Sequence, residues 1–139
     1  MQNLGLLIFR VSIGTIMLAA HGWPKLMRSF SGQEIKFYDF LGIGAAPSLY
    51  LAVFSEFFLS ILLIFGVFTR FSSLGMIITM FVAFFLAHAD DPFSQKEKAL
   101  LFLISYITLF FTGPGKFVLQ SYFESKIKIS NKFIKLLLS

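Results

Sequence analysis

Four apolar runs, at 4–22, 47–68, 71–89 and 99–112, decide most of what this chain can become. A bilayer core of about 30 Å is crossed by about 20 predominantly apolar residues in a helix. Three of the runs meet that length. The fourth is shorter, which places its polar start at Lys96–Lys98 in the interface. None shows the alternation of a half-buried strand. Composition agrees: hydrophobic residues make up 57% of the chain and charged residues 14%, with a mean hydropathy of +0.82. An ordinary soluble domain carries about 25% charged residues. Lipid must therefore be the solvent for much of this surface, and an all-α integral membrane four-helix bundle is expected. The chain holds no cysteine, so thiol and disulfide chemistry are absent.

The punctuation supports these boundaries. Pro24 follows the first run, and Pro47 opens the second, where a missing N–H costs least. "GVFTR" at 66–70 is a very short connection, which makes the second and third helices antiparallel neighbours. Ser94 and Glu97 have the spacing of a capping box before the fourth run, and Ser31 and Glu34 repeat that spacing in the first loop. The loop then mixes charge with aromatic residues in "IKFYDFLGIG", so a short interfacial helix is expected there. The first run lacks the basic start and small-residue cleavage site of a signal peptide, so it reads as a retained helix. Residues 1–115 form the transmembrane domain in this reading. Residues 116–139 form a basic amphipathic tail, with Lys126, Lys128, Lys132 and Lys135 set among apolar side chains.

Four crossings put both termini on one side. That side carries six basic residues besides Arg10 and the other carries five, so Lys and Arg alone give a small bias. The lysines clustered after the last run tip the orientation towards cytoplasmic termini.

Ionisable groups inside a span are costly and usually face inward towards partners. Two stand out, Arg10 and Glu56. At 1.5 Å per residue, Arg10 lies about 18 Å below Gly22 and Glu56 about 13 Å below Pro47, so the two are expected to pair at a common depth. Arg10, Gly14, Met17 and His21 share one helical face. Gly14 leaves room on it for a neighbour or a ligand. His88 ends the third run on the same side as His21. The expected arrangement is a polar path, with Arg10 and Glu56 inside and His21, Trp23 and His88 at the outer mouth of an apolar pocket between the first three helices. Phe81, Phe84 and Phe85 would line that pocket, and Tyr106 and Thr108 could add hydroxyls. The same residues have plainer readings: an Arg–Glu pair that only locks two helices, histidines at helix ends, Glu97 as a cap and Trp23 as an interface anchor. No metal site is expected, since the histidines lack ligand spacing.

These residues, taken in order, resemble the DoxX family of small four-helix membrane proteins of bacteria and archaea, over about residues 4–120. The match is carried by Arg10, "HGWPKL" at 21–26, Glu56, "GVFTR" at 66–70, the run of His88, Pro92, Phe93 and Glu97, and "TGPGKF" at 112–117. The chain departs at Gln120, where the family often has an acid, and in its Lys-rich tail. Relatives include a membrane subunit of a thiosulfate–quinone oxidoreductase. The resemblance thus implies a protein of the bacterial cytoplasmic (inner) membrane that binds a quinone or lipid and holds no covalent cofactor. Glu56, His21 and His88 are the candidate catalytic groups, and Arg10, Gly14, His21, Trp23, Glu56 and His88 the candidate ligand contacts. Electrons would come from a partner redox protein. Membrane lipid and a redox partner or a second copy of the chain are the expected partners, and nucleic acid is not. The competing classes are a non-catalytic scaffold or assembly protein and a small transporter.

Overall fold

The computed structural model describes residues 1–119 of the chain, and every described regular element is helical. Helix α1 runs over Gln2–Ser29, α2 over Ala45–Phe65 and α3 over Thr69–Ala87. Helix α4 covers Phe93–Thr112. The first three are long and apolar enough to cross a membrane. Helix α4 starts among Lys96, Glu97 and Lys98, so its apolar part is limited to the turns that follow. With α3 and α4 packed side by side and α1 against α2, this is a membrane helical bundle.

Pro24 does not end the first helix. The chain continues in α-helix over Trp23–Ser29, two turns past the apolar run. A proline inside a helix clashes with the carbonyl four residues back and leaves it unbonded. Here a wider π-turn, Leu18–Gly22, stands just before it and opens the spacing where the ring must fit. The residues expected to form an interfacial helix are accordingly divided. Those up to Ser29 belong to α1, and residues 30–44 form an irregular loop without a helix.

Neither capping box forms. Pro92 is the N-cap of α4 and no side chain caps it, so Ser94 sits inside the helix. The Ser31 hydroxyl instead donates to the Arg28 carbonyl. The cap of α2 comes from further away. Asp39 accepts hydrogen bonds from the backbone N–H groups of Ile43 (3.0 Å) and Gly44 (2.7 Å) and from the Ser48 hydroxyl (3.1 Å). These bonds, the Gly44 one foremost, hold the Asp39 carboxyl below its ordinary pKa.

Small residues set the approach of α1 and α2. A Cβ on Gly22 would lie 2.7 Å from the Glu56 carbonyl carbon and 2.9 Å from Phe57 Cα. Gly14 meets Ile64 and the Ser60 carbonyl in the same way. These two glycines fix the antiparallel register: Gly22 stands beside Glu56, Gly14 beside Ser60. The apolar core then fills between helices with Met17, Leu59, Leu63, Met76, Met80, Phe102, Leu103, Tyr106 and Leu109.

The segment after α4 folds back onto the bundle. Leu119 N–H donates to the Phe65 carbonyl (3.1 Å), and Lys116 N–H to the Asn3 side chain (3.2 Å). Residues 116–119 are therefore tied to the helical domain across the boundary expected at 115. The rest of the tail expected at 116–139, from residue 120 on and including its four lysines, lies outside the described residues.

Candidate ligand site

The register of α1 and α2 separates the two intramembrane charges. Arg10 lies beside Gly66, where a Cβ would sit 2.7 Å from the guanidinium carbon. Glu56 is ten residues further along α2, about 15 Å away at helical rise. The expected Arg10–Glu56 pair therefore does not form. The error lay in the length of α1: with two turns beyond Gly22, that glycine is not level with the start of α2 but with Glu56 itself.

Each charge has other partners. Arg10 is 1% exposed and donates to the carbonyls of Pro114 (3.1 Å) and Phe117 (2.9 Å). Gly66, at φ 67°, supplies the left-handed turn that ends α2 and the space in which the guanidinium lies. Glu56, 4% exposed, pairs with Lys25, whose Nζ is 2.5 Å from Oε2. Lys25 reaches this depth because α1 continues past Pro24. Sequence reasoning missed Lys25 because its place after a proline put it in a loop. The i+4 step from His21 was the available signal, and it carries weight only if Pro24 is inside a helix.

A cavity of about 480 Å³ opens next to this ion pair, between α2 and α3 and under the first loop. Its polar lining consists of Lys25, Lys36, Tyr38, Ser48, Ser55, Glu56, Thr79 and His88. Its apolar length runs down through Ala52, Leu59, Gly75 and Ile78 to Phe71. From His88 to Phe71 is seventeen residues of α3, about 25 Å of helical rise. Phe54, Phe71 and Ile78 on the wall are also half exposed on the bundle flank. The space is thus a groove with access from the bilayer side, polar at one end. Concave, mostly apolar spaces with a few convergent polar groups are the usual form of a small-molecule site.

The backbone around it is irregular in the same place. The π-turns at Leu18–Gly22, Phe54–Leu59 and Ala83–Ala87 lie at one end of the bundle. Single π-turns occur often at functional sites because they re-aim side chains. Ser60, Thr79, Ser105, Thr108 and Thr112 each donate to the carbonyl four residues back, as helical hydroxyls commonly do. Ser55, within the π-turn, is 4% exposed and its hydroxyl has no partner among the described residues, and the same holds for the buried hydroxyls of Thr69, Ser72 and Ser73 in the regular part of α3.

The other expected site residues are dispersed. His88 is on the cavity rim, with Nδ1 2.6 Å from the Asp91 carboxylate. His21 turns away and meets the edge of Phe102 on α4, at 5.5 Å between centroids. Trp23 is half exposed and leans on Phe57. Gly14 is a packing position against α2 and does not line the cavity. Phe81 and Phe85 stack on each other on the exposed side of α3. Thr108 bonds back to its own helix, whereas Tyr106 is buried with its hydroxyl unpartnered among the described residues. The structure therefore brings Glu56 and His88 to one cavity, adds Lys25, Lys36 and Ser55, and places Arg10, Gly14, His21 and Trp23 elsewhere.

No solved structure matches the chain. It is 31% identical over 104 residues to an uncharacterized protein of Haemophilus influenzae, an alignment covering 72% of this chain and 68% of that one. The family model described as DoxX matches residues 5–89, a stretch that includes the ion pair, the three π-turns of the described residues and the whole of the cavity wall. The chain is a member of the DoxX family.

Proposed function

We propose that this protein binds one amphiphile, a quinone or another lipid-like molecule, in the groove between α2 and α3, and does so as an accessory subunit of a redox complex in the bacterial cytoplasmic membrane with both termini in the cytoplasm. The observation that carries the reading is a buried Lys25–Glu56 pair and an unpartnered Ser55 hydroxyl on the wall of an apolar cavity. A purely structural groove in lipid gains nothing from polar groups, each of which is costly to place there. A turn of the Ser55 side chain would bring its hydroxyl, buried in the structure, to a carbonyl or hydroxyl of a head group. Glu56, held by Lys25 on the same wall, offers its carboxylate as a hydrogen-bond partner to that head group. In this role electrons come from a partner protein. His21, turned towards α4, has no part in it.

Gentle purification followed by solvent extraction and mass spectrometry tests the reading. The parent protein should yield a quinone or lipid in stoichiometric amount. Ala52→Trp, which fills the groove, and Glu56→Gln should lose it, and His21→Ala should keep it. If folded Ala52→Trp protein retains the parental complement, the groove is not the site. A scaffold function, which the enclosed Arg10 end would serve equally well, then takes its place.

A further inference from the structure

The charges on the groove do not cancel. Its lining holds Lys25, Lys36 and Glu56, and His88 is already joined to Asp91. Lys25 and Glu56 neutralise each other, which leaves Lys36 as the excess cation. Its ammonium has no hydrogen bond or ion pair among the described residues. Its backbone is held in place, because the Arg28 guanidinium donates to the Lys36 carbonyl at 2.6 Å. That bond anchors the loop over the end of α1 and keeps Lys36 at the polar end of the groove.

Two further donors point the same way. An ammonium carries three N–H groups. Lys25 uses one on Glu56, and no other acceptor meets its Nζ among the described residues. Ser55, two turns below Ser48 on the same wall, is the unpartnered hydroxyl already described. The polar end therefore offers spare donors from two lysines, with the buried Ser55 hydroxyl behind them. Its single carboxylate is occupied by Lys25. Lys36 is exposed and solvated, so a neutral head group would gain nothing from it, whereas an anionic one would gain an ion pair and a cationic one would face two lysines.

From this arrangement we propose that the ligand is a long-chain carboxylate, held by its head between Lys36 and the outer side of Lys25, with its single chain lying along Ala52, Ile78 and Phe71. The inference rests on the amphiphile reading above and narrows it to an anionic, single-chain molecule. One chain is favoured over two by size. A cavity of about 480 Å³ confined between two helices is in the range that takes one drug-sized molecule. One net positive charge on the lining matches one carboxylate. Access from the bilayer flank suits a ligand that arrives dissolved in the membrane.

Equilibrium binding of radiolabelled palmitate to the purified full chain in detergent tests this, with hexadecanol and decylubiquinone as neutral probes and a dioleoyl phosphatidylglycerol competitor. Palmitate should bind about tenfold tighter than hexadecanol at pH 8. Lys36→Gln, an exposed loop change that leaves the bundle intact, should weaken palmitate about fivefold, the size expected of one partly exposed ion pair, and leave hexadecanol unmoved. Ala52→Trp should abolish binding of both. Equal affinity for palmitate and the neutral probes, with Ala52→Trp still blocking all of them, would overturn the carboxylate inference and keep the amphiphile reading. Phosphatidylglycerol displacing palmitate at lower concentration than palmitate itself would overturn the single-chain assignment. Binding of every probe unchanged in Ala52→Trp would remove the groove reading along with it.

Discussion

The two ends of this bundle treat a buried charge in opposite ways. At one end Arg10 is enclosed and bonded to two backbone carbonyls, of Pro114 and Phe117, in a segment that also pairs with Phe65 and Asn3. At the other, Glu56 has one partner, Lys25, and stands on an open groove flanked by π-turns. A guanidinium that donates to fixed carbonyls cannot exchange them without undoing the local fold, so the Arg10 end is built for permanence. An ion pair of two side chains on a cavity can be rearranged by a ligand. Charge burial alone thus does not mark a functional site. What distinguishes the Glu56 end is accessible space beside the buried pair.

The largest effect is expected from Arg10→Met. It removes two charge-assisted hydrogen bonds and strands both carbonyls, and should cost about 3 kcal/mol in a detergent unfolding titration. It should also free residues 113–119 to proteolysis while leaving ligand binding at the groove in place. A loss of ligand without loss of stability would reverse the assignment of the two ends.

A smaller effect is expected at the groove. Lys25→Met leaves Glu56 buried without its partner and should cost about 2 kcal/mol, below the range for a sealed pair because Lys25 keeps some contact with water. Adding Glu56→Gln to it should recover most of the loss, since replacing both members of a buried pair is often near neutral. The same unfolding titration on the two single variants and the double variant measures this. A double variant as unstable as the sum of the singles would mean that the two residues do not act as a pair.

The smallest effect concerns the loop that roofs the groove. Asp39 has a folded pKa held below its unfolded value, by the Gly44 N–H first and the Ile43 N–H and Ser48 hydroxyl after it. A depressed carboxyl contributes stability that is fully present above its unfolded pKa and is lost as pH falls through the folded one. Acidification from pH 6 to below the ordinary carboxylate range should therefore loosen the start of α2. Asp39→Asn should show a lower thermal midpoint at pH 6 and a flatter dependence on acid. A parallel pair of acid titrations, parent against variant, would refute the cap.

Several features were legible before any coordinates. The four helices follow from run length and hydropathy, because lipid accepts only segments whose backbone is bonded within the helix. That Arg10 and Glu56 face inward follows from the cost of exposing a charge to lipid. Both are buried in the structure. The stripe of Arg10, Gly14 and Met17 is likewise buried, as its spacing required. Helical periodicity and transfer cost are local quantities, and the chain carries them in its residue order.

Partners are different. Which residue meets Glu56 depended on whether Pro24 ends α1 or lies inside it. That was decided by the π-turn at Leu18–Gly22, whose backbone has no distinct residue signature. It depended also on the axial register of α1 against α2, set by Gly22 against the Glu56 backbone and Gly14 against Ser60 and Ile64. The direction of His21 towards Phe102 and the reach of Lys25 both follow from that extra residue in a turn and that register. A shift of one residue in a helix rotates every later side chain by about 100°, so a local irregularity changes all later contacts while leaving composition and hydropathy untouched. The sequence by itself determined a lipid-embedded helical bundle with two interior charges. Only the packing of the helices decided which charge is sealed into the fold and which one stands on an open groove.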